Sequence, residues 1–412
     1  MSPGADPSGI LTGARRQVDH RLTRGASVWR LDIRLPLTYP SSRIVELSDF
    51  AIVIFMARKE SGLASFKVAT QKPPGVTFDM AGGSYELEME SLSSIDAEIV
   101  EIAADSEQEF IEAARDCDAI IARGRRISKN IIDNLDNCRV ISLGSVGADT
   151  VDVAAATARG IPVTNVPDTF IEEVADHTIM LMLATFRRLK TMDTYVRDGR
   201  WSEGRPLLST FPRLMGQTLG FIAFGHVARA TAVRAAPFGV RMLAYDPYIE
   251  ELTMSAYGVE PVGYNELLEN SDIISMHAPA TPEAEHMLRE EHFRKMKPTA
   301  LFVNNGRGPT VEESGLIKAL QEGWIAAAGL DVLEQEPPDP ENPLLHMDNV
   351  ILTPHVASAS ERMGPETRRR VGQEISLVLT GRWPRTCVNP SVLEKTDLRR
   401  WQPYSMERGP GS

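Results

Sequence analysis

The sequence predicts an α/β protein built on two doubly wound parallel sheets. Three observations carry that prediction. From Phe66 onward, short apolar runs alternate with helical stretches, the rhythm of a parallel sheet with helices on both faces. The rhythm breaks at Asn165-Val166-Pro167-Asp168, yields to a long apolar helix, and restarts at Thr218. The chain, at 412 residues, is long enough for two ordinary domains with separate cores.

Taken in order, residues 66–69, 98–102, 119–122, 140–143 and 161–163 read as strands, with helices at 107–115 and 129–135 between them. Residues 172–197 read as one long helix ending near Gly199, a plausible C-cap. The second series runs from Thr218 to His355 and includes strands at 242–245, 300–303, 326–330 and 350–352. A helix over 365–380 follows, stopped by Gly381 and Pro384. Residues from about Thr396 are polar and expected to fray.

The first 65 residues differ from the rest. They carry Arg15, Arg16, Arg21, Arg24, Arg30 and Arg34 with few acids and no sustained period. They are expected to be a disordered leader, with a transit peptide as the alternative and Met56 as a possible second start. The apolar run over 178–186 is too short to span a bilayer.

Composition narrows the function. Hydrophobic content of 42% and charged content of 24% suit a soluble globular protein. A net charge of −12, from 44 basic and 56 acidic residues, argues against nucleic acid as a partner. Cys117, Cys138 and Cys387 lack metal-ligand spacing. No metal is expected, and free thiols point to a reducing, cytoplasmic setting.

Three segments end apolar runs with chemistry-bearing residues: Asn305-Gly306-Arg307-Gly308, Asp331-Val332-Leu333-Glu334-Gln335-Glu336-Pro337 and Thr353-Pro354-His355. In an open parallel sheet, ligands bind beyond the carboxyl ends of the strands. Arg307, Glu336 and His355 therefore meet at one crevice. A cation, a carboxylate and an imidazole suit a carboxylate-bearing substrate and the movement of one proton.

The stretch Leu219-Gly220-Phe221-Ile222-Ala223-Phe224-Gly225-His226-Val227-Ala228 is a strand entering a helix, and Asp246 follows Gly225 by 21 positions at the end of a second strand. That is the layout of a dinucleotide site, with a tight turn, a helix N-terminus for pyrophosphate and an acid for ribose hydroxyls. The acid favours NAD over NADP. The fingerprint has Ala223 in the first glycine place and Ala228 in the third; the first puts a methyl where the turn is tight.

From about Phe66 to Glu394 the chain resembles the D-isomer-specific 2-hydroxyacid dehydrogenases. The resemblance rests on the cofactor loop, the three segments above, the 29-residue step from Arg307 to Glu336, Gly147-Ala148-Asp149 with Asp152, and residues 160–165. Tyr245-Asp246-Pro247-Tyr248 and Thr380-Gly381-Arg382-Trp383-Pro384 resemble the branch of the C-terminal-binding-protein corepressors and phosphoglycerate dehydrogenases.

The resemblance implies a Rossmann NAD-binding domain over 168–356, inserted into a flavodoxin-like substrate domain formed by 66–167 and 357–395, with a tail over 396–412. It implies interconversion of a 2-oxo acid and a D-2-hydroxy acid, with NAD as cofactor. Arg307 would bind the substrate carboxylate and polarise the 2-oxo group. His355 would be the general acid, with Glu336 holding the imidazole and stabilising its charged form. Pro279, Asn305, Gly306 and Asp331 would join Gly220, Ala223, Gly225, His226, Val227 and Asp246 around the cofactor. Backbone N–H groups of Gly147 and Ala148, with Arg123 and Gly124, would face the substrate. Arg123, Arg125 and Arg126 suit a second negative charge or a solvated turn. Asp176, His177, His226, His277 and His286 have a structural reading.

A homodimer through the cofactor domains, with the 172–197 helix taking part, is the expected assembly. Two other functions stay open: a corepressor-like NAD(H) sensor, disfavoured by Ser358 where corepressors carry Trp, and another reaction on the same frame. The formate branch of that frame carries Gln at the place of Glu336.

Overall fold

The computed structural model describes residues 66–72 and 85–401. The leader over 1–65 and the tail beyond Trp401 lie outside the described residues.

The first sheet has five parallel strands in the order β2-β1-β3-β4-β5. They are β1 (Phe66–Gln71), β2 (Ala97–Ile102), β3 (Ala119–Ala122), β4 (Val140–Leu143) and β5 (Val163–Thr164). Helices α1 (Glu86–Leu92), α2 (Glu107–Ala114), α3 (Lys129–Asp133) and α4 (Val153–Ala158) connect them. The central strands β3 and β4 are near-continuous apolar runs because both faces are covered. One core packs Ile120, Ile141 and Val163 with Phe110 and Ile131, and another packs Val68, Ala119 and Val140 with residues far down the chain. Local chemistry sets the helix starts: Ser106 and Glu109 form a capping box on α2, and Ser128 caps α3.

The long helix expected over 172–197 is two helices, α5 (Ile171–Phe186) and α6 (Leu189–Arg197). The break falls at Arg188, whose φ is 51°. The apolar run ends at Phe186, so α5 stays on the second sheet while α6 buries no residue. The guanidiniums of Arg187 and Arg188 instead stack over Phe211 at 5.1 and 5.4 Å.

The second sheet has seven parallel strands in the order β12-β11-β10-β9-β6-β7-β8. They are β6 (Thr218–Ile222), β7 (Arg241–Tyr245), β8 (Glu260–Pro261), β9 (Ile273–Met276), β10 (Leu301–Asn304), β11 (Ala327–Leu330) and β12 (Val350–Leu352). The helices are α7 (His226–Ala235), α8 (Glu251–Ser255), α9 (Tyr264–Asn270), α10 (Glu290–Phe293) and α11 (Glu313–Gln321). Both sheets reverse strand order once, the first between β1 and β3 and the second between β6 and β9. These are the flavodoxin-like and Rossmann orders, whose crevices open at such reversals.

After β12 the chain returns to the first sheet as α12 (Met363–Leu379). Val371, Ile375 and Val378 pack on Val68 and Val140. Arg368 pairs with Glu88 of α1 at 2.7 Å, both buried, and Asn389 accepts from Val163 N–H at 2.8 Å. Residues expected to fray from Thr396 are pinned as far as Trp401. Arg399 and Gly381–Trp383 exchange backbone bonds of 2.8 and 2.9 Å, and Arg382 and Arg400 lie over Trp401 and Trp383. Among the described residues, no helix is long and apolar enough to cross a membrane.

Candidate active site

A cleft of about 1520 Å³ opens where loops of both sheets face each other. The first sheet contributes Arg123, Gly124, Gly147 and Ala148; the second contributes Val227, Pro279, Asn305, Gly306, Arg307, Asp331 and His355. Parallel strands put all these residues at carboxyl ends, which is why distant segments converge.

Arg307 follows β10 with its side chain partly buried. Its Nη1 donates to Gly306 O at 2.8 Å. A Cβ on Gly308 would fall 1.8 Å from Leu333 O, so only glycine lets the arginine loop lie against the loop that carries Glu336. Across the cleft, a Cβ on Gly147 would fall 2.6 Å from Arg307 Nη2. The missing side chain lets the backbone approach the guanidinium. The N–H groups of Gly147 and Ala148 donate to no group among the described residues. Asp149 completes this corner, with Oδ2 3.6 Å from Arg307 Nε.

His355 follows β12, and Glu336 lies in the loop after β11. His355 Nδ1 is 2.7 Å from Glu336 Oε2. An ionised carboxylate only accepts, so Nδ1 carries the proton and Nε2 is left for chemistry. His355 has φ 52°, a left-handed conformation that costs of order 1–3 kcal/mol and persists where surroundings impose it. Asp331 does so. Its buried carboxylate accepts from Thr353 Oγ1 at 2.6 Å, Val356 N at 3.0 Å and Ala357 N at 2.9 Å, and its carbonyl accepts from His355 N at 2.8 Å. Both side-chain oxygens of Asp331 are thus committed within the chain.

At the nucleotide end, Ala223 has φ 67°, so the turn is left-handed although its residue is alanine. Gly225 caps α7 without a side-chain bond. The N–H groups of Gly225, His226 and Val227 donate to nothing among the described residues. Asp246 sits at the end of β7 and accepts from Phe224 N and Tyr248 N, each at 2.8 Å. Asn305 donates to Val174 O at 3.0 Å, while its buried Oδ1 has no partner among the described residues. Unpartnered donors at a helix start, an acid on the next strand and an orphaned amide oxygen fit a dinucleotide.

Gly220 departs from expectation. It lies within β6, where an added Cβ would meet Ser271 Oγ at 2.2 Å and Leu267 at 2.9 Å. It makes room for α9 and does not line the cleft. Arg123, Arg125 and Arg126 all line the cleft, but the guanidinium of Arg125 is committed within the chain, bonding Gln71 Oε1 at 2.9 Å and Ala104 O at 2.6 Å. Asp176 is structural, as expected, pairing α5 with Arg234 of α7.

Two histidines read as ordinary belong to the site's surroundings. His277 lines the cleft, 2.8 Å from Ser275 Oγ through Nε2, and burial pushes its imidazole down to about 3. His177 Nε2 lies 3.0 Å from Thr353 Oγ1. One signal was available for it: Asp176, His177 and Thr178 are consecutive polar residues in an apolar helix. At 100° per residue they cannot share one solvent face.

Comparisons with known proteins agree with one another. Residues 179–357 match the family model of the D-isomer-specific 2-hydroxyacid dehydrogenase NAD-binding domain. A glyoxylate reductase of Korarchaeum cryptofilum is 40% identical over 294 residues, 71% of this chain and 89% of that protein. A D-3-phosphoglycerate dehydrogenase of Methanocaldococcus jannaschii is 36% identical over 310 residues, 74% of this chain and 58% of that protein. The crystal structure of a glyoxylate reductase from Paecilomyes thermophila superposes with a TM-score of 0.69 at 27% identity, covering 79% of this chain and 99% of that one. With NAD as its cofactor, the chain belongs to the family of D-isomer-specific 2-hydroxyacid dehydrogenases.

Proposed function

We propose that the protein reduces a small 2-oxo acid to the D-2-hydroxy acid, with Arg307, Glu336 and His355 as its chemical residues. The observation that carries this reading is the His355–Glu336 pair at 2.7 Å beside a cleft-lining Arg307 that faces the bare backbone of Gly147.

Bound NADH would supply the hydride. The residues that would hold it are Ala223, Gly225, His226 and Val227 at the start of α7, Asp246 for the ribose, and Pro279, Asn305, Gly306 and Asp331 nearer the reacting end. The substrate carboxylate would take two parallel bonds from Arg307 and the free N–H groups of Gly147 and Ala148. Fixed at that end, the 2-oxo oxygen faces His355, which gives it the Nε2 proton. Glu336 stabilises the imidazolium before transfer and holds the ring afterwards. Closure of the two halves would exclude water.

The likeness to glyoxylate reductases, which covers 89% of the Korarchaeum protein, supports a small substrate, and Arg123 and Arg126, which line the cleft, suit substrates with a second negative group. The assembly would be a homodimer. Leu189 and Val196 of α6, with Trp201, Leu208 and Met215 in the segment leading to β6, are exposed, and apolar side chains left exposed in one stretch of chain suit protein–protein contact.

A panel of glyoxylate, hydroxypyruvate, 2-oxoglutarate and phenylpyruvate with NADH tests the reading. The smallest acids are expected to turn over fastest. Loss of NADH that is independent of every acid would contradict it.

A further inference from the structure

Helix α5 touches both arms of the candidate site. Thr178 Oγ1 and Val174 O take the side-chain amide of Asn305, two residues before Arg307. Glu173 accepts from Ser360 Oγ at 2.8 Å, in the loop that follows His355. Between these grips, His177 reaches Thr353 Oγ1 at 3.0 Å and Asp331 Oδ1 at 3.5 Å.

The hydrogens in this cluster can be placed. Thr353 has one hydroxyl hydrogen, and it goes to Asp331 Oδ1 at 2.6 Å, because a carboxylate only accepts. The Thr353 oxygen must then accept from His177, which carries its proton on Nε2. Asp331 in turn holds Val356 and Ala357 by their N–H groups, the two residues after the left-handed His355. A relay runs from the His177 proton through the Thr353 hydroxyl and the Asp331 carboxylate to the turn that presents the imidazole to Glu336.

We propose that His177 is a positioning residue for His355. By donating Nε2–H to Thr353 it keeps that hydroxyl on Asp331, and Asp331 keeps the His355 turn in the conformation in which Glu336 is within reach. His177 does not itself line the cleft; it acts through Thr353 and Asp331. The inference rests on the assignment of His355 as the acid.

The test compares the full-length protein with His177→Ala, His177→Gln and His355→Ala, by steady-state kinetics, NADH binding, melting temperature and amide exchange of residues 353–358. Glutamine keeps an N–H donor at a similar reach. In His177→Ala, kcat should fall about tenfold to a hundredfold, the scale on which misplacing a catalytic group costs rate. KM for the oxo acid, NADH binding and melting should hold, and exchange over 353–358 should quicken. His177→Gln should restore most of kcat. An unchanged kcat in His177→Ala overturns the proposal. So does a loss that glutamine does not restore, or one matched by loss of NADH binding and of melting temperature. If His355→Ala keeps turnover, the site assignment falls and this inference with it. If His355→Ala is inactive and His177→Ala is not, only the positioning role falls.

Discussion

Asp149 Oδ2 stands 3.6 Å from Arg307 Nε, joining a loop of the first sheet to a loop of the second across the cleft. The carboxylate also lies 2.7 Å from where a Cβ on Gly147 would be. It therefore occupies the corner in which the substrate carboxylate would meet Arg307 and the Gly147 and Ala148 N–H groups. Asp149 competes for the arginine. Asp149→Asn should lower KM for the oxo acid, by about two- to fivefold given what an exposed ion pair contributes, and leave kcat unchanged. Steady-state kinetics check this; a higher KM would make Asp149 a partner of the substrate instead.

Arg307 is the proposed carboxylate anchor, and its loop is fixed by the contact of Gly308 with Leu333 rather than by the guanidinium. Arg307→Ala should therefore fold normally. Its kcat/KM should fall by about 2–5 kcal/mol of transition-state binding, the usual cost of removing one partner of a desolvated charge pair. Lysine should recover little, because a point charge cannot make the paired bonds. Kinetics together with thermal melting separate this from unfolding.

Ala223 holds φ 67° at the nucleotide turn. An L-residue pays roughly 1–2 kcal/mol there, which glycine avoids. Ala223→Gly should raise unfolding free energy by about 1 kcal/mol and tighten NADH binding by relaxing the turn. Denaturant titration and fluorescence binding measure the two effects, and a destabilised variant would mean that the methyl contributes packing that outweighs the strain.

Much of this arrangement was legible in the sequence, and the misses share a cause. Parallel strands buried on both faces are dense apolar runs, so residues 119–122, 140–143 and 350–352 stood out and matched β3, β4 and β12. Arg307, Glu336 and His355 were legible because each follows such a run. Helix α5 was expected to continue to residue 197, since nothing local marks Arg188 as left-handed; the stacking on Phe211 lies 23 residues on. Polarity after Thr396 predicts fraying, yet as far as Trp401 the segment is held by arginine stacking on Trp383 and Trp401. The place of Gly220 in the fingerprint points to the cofactor, whereas its role is set by Leu267 and Ser271 packed against it. The sequence does not reveal His177's role because its partners, Thr353 and Asp331, lie on the loops after β12 and β11.

His277 links the cleft to acid stability. Burial pushes its imidazole from the ordinary value down to about 3, so the folded protein keeps it neutral while the unfolded chain protonates it near pH 6.5. Between those values the unfolded state binds more protons, and stability falls as pH falls. The slope attributable to this group is at most about 1.4 kcal/mol per pH unit, lessened because the ring is partly open to the cleft. His277→Asn should flatten the fall between pH 6 and 4. Unfolding free energies measured across that range test it, and an unaltered slope would place the acid sensitivity elsewhere.

The central claim is that His355, held by Glu336, supplies the proton for reduction of a 2-oxo acid. The most direct measurement is NADH oxidation with glyoxylate by the protein and by His355→Ala, alongside NADH binding by fluorescence. The account predicts turnover in the protein, loss of at least about a hundredfold in the variant, the contribution expected of a general acid, and equal NADH binding in both. Turnover that survives in His355→Ala would contradict it, as would tight NADH binding with no reduction of any 2-oxo acid.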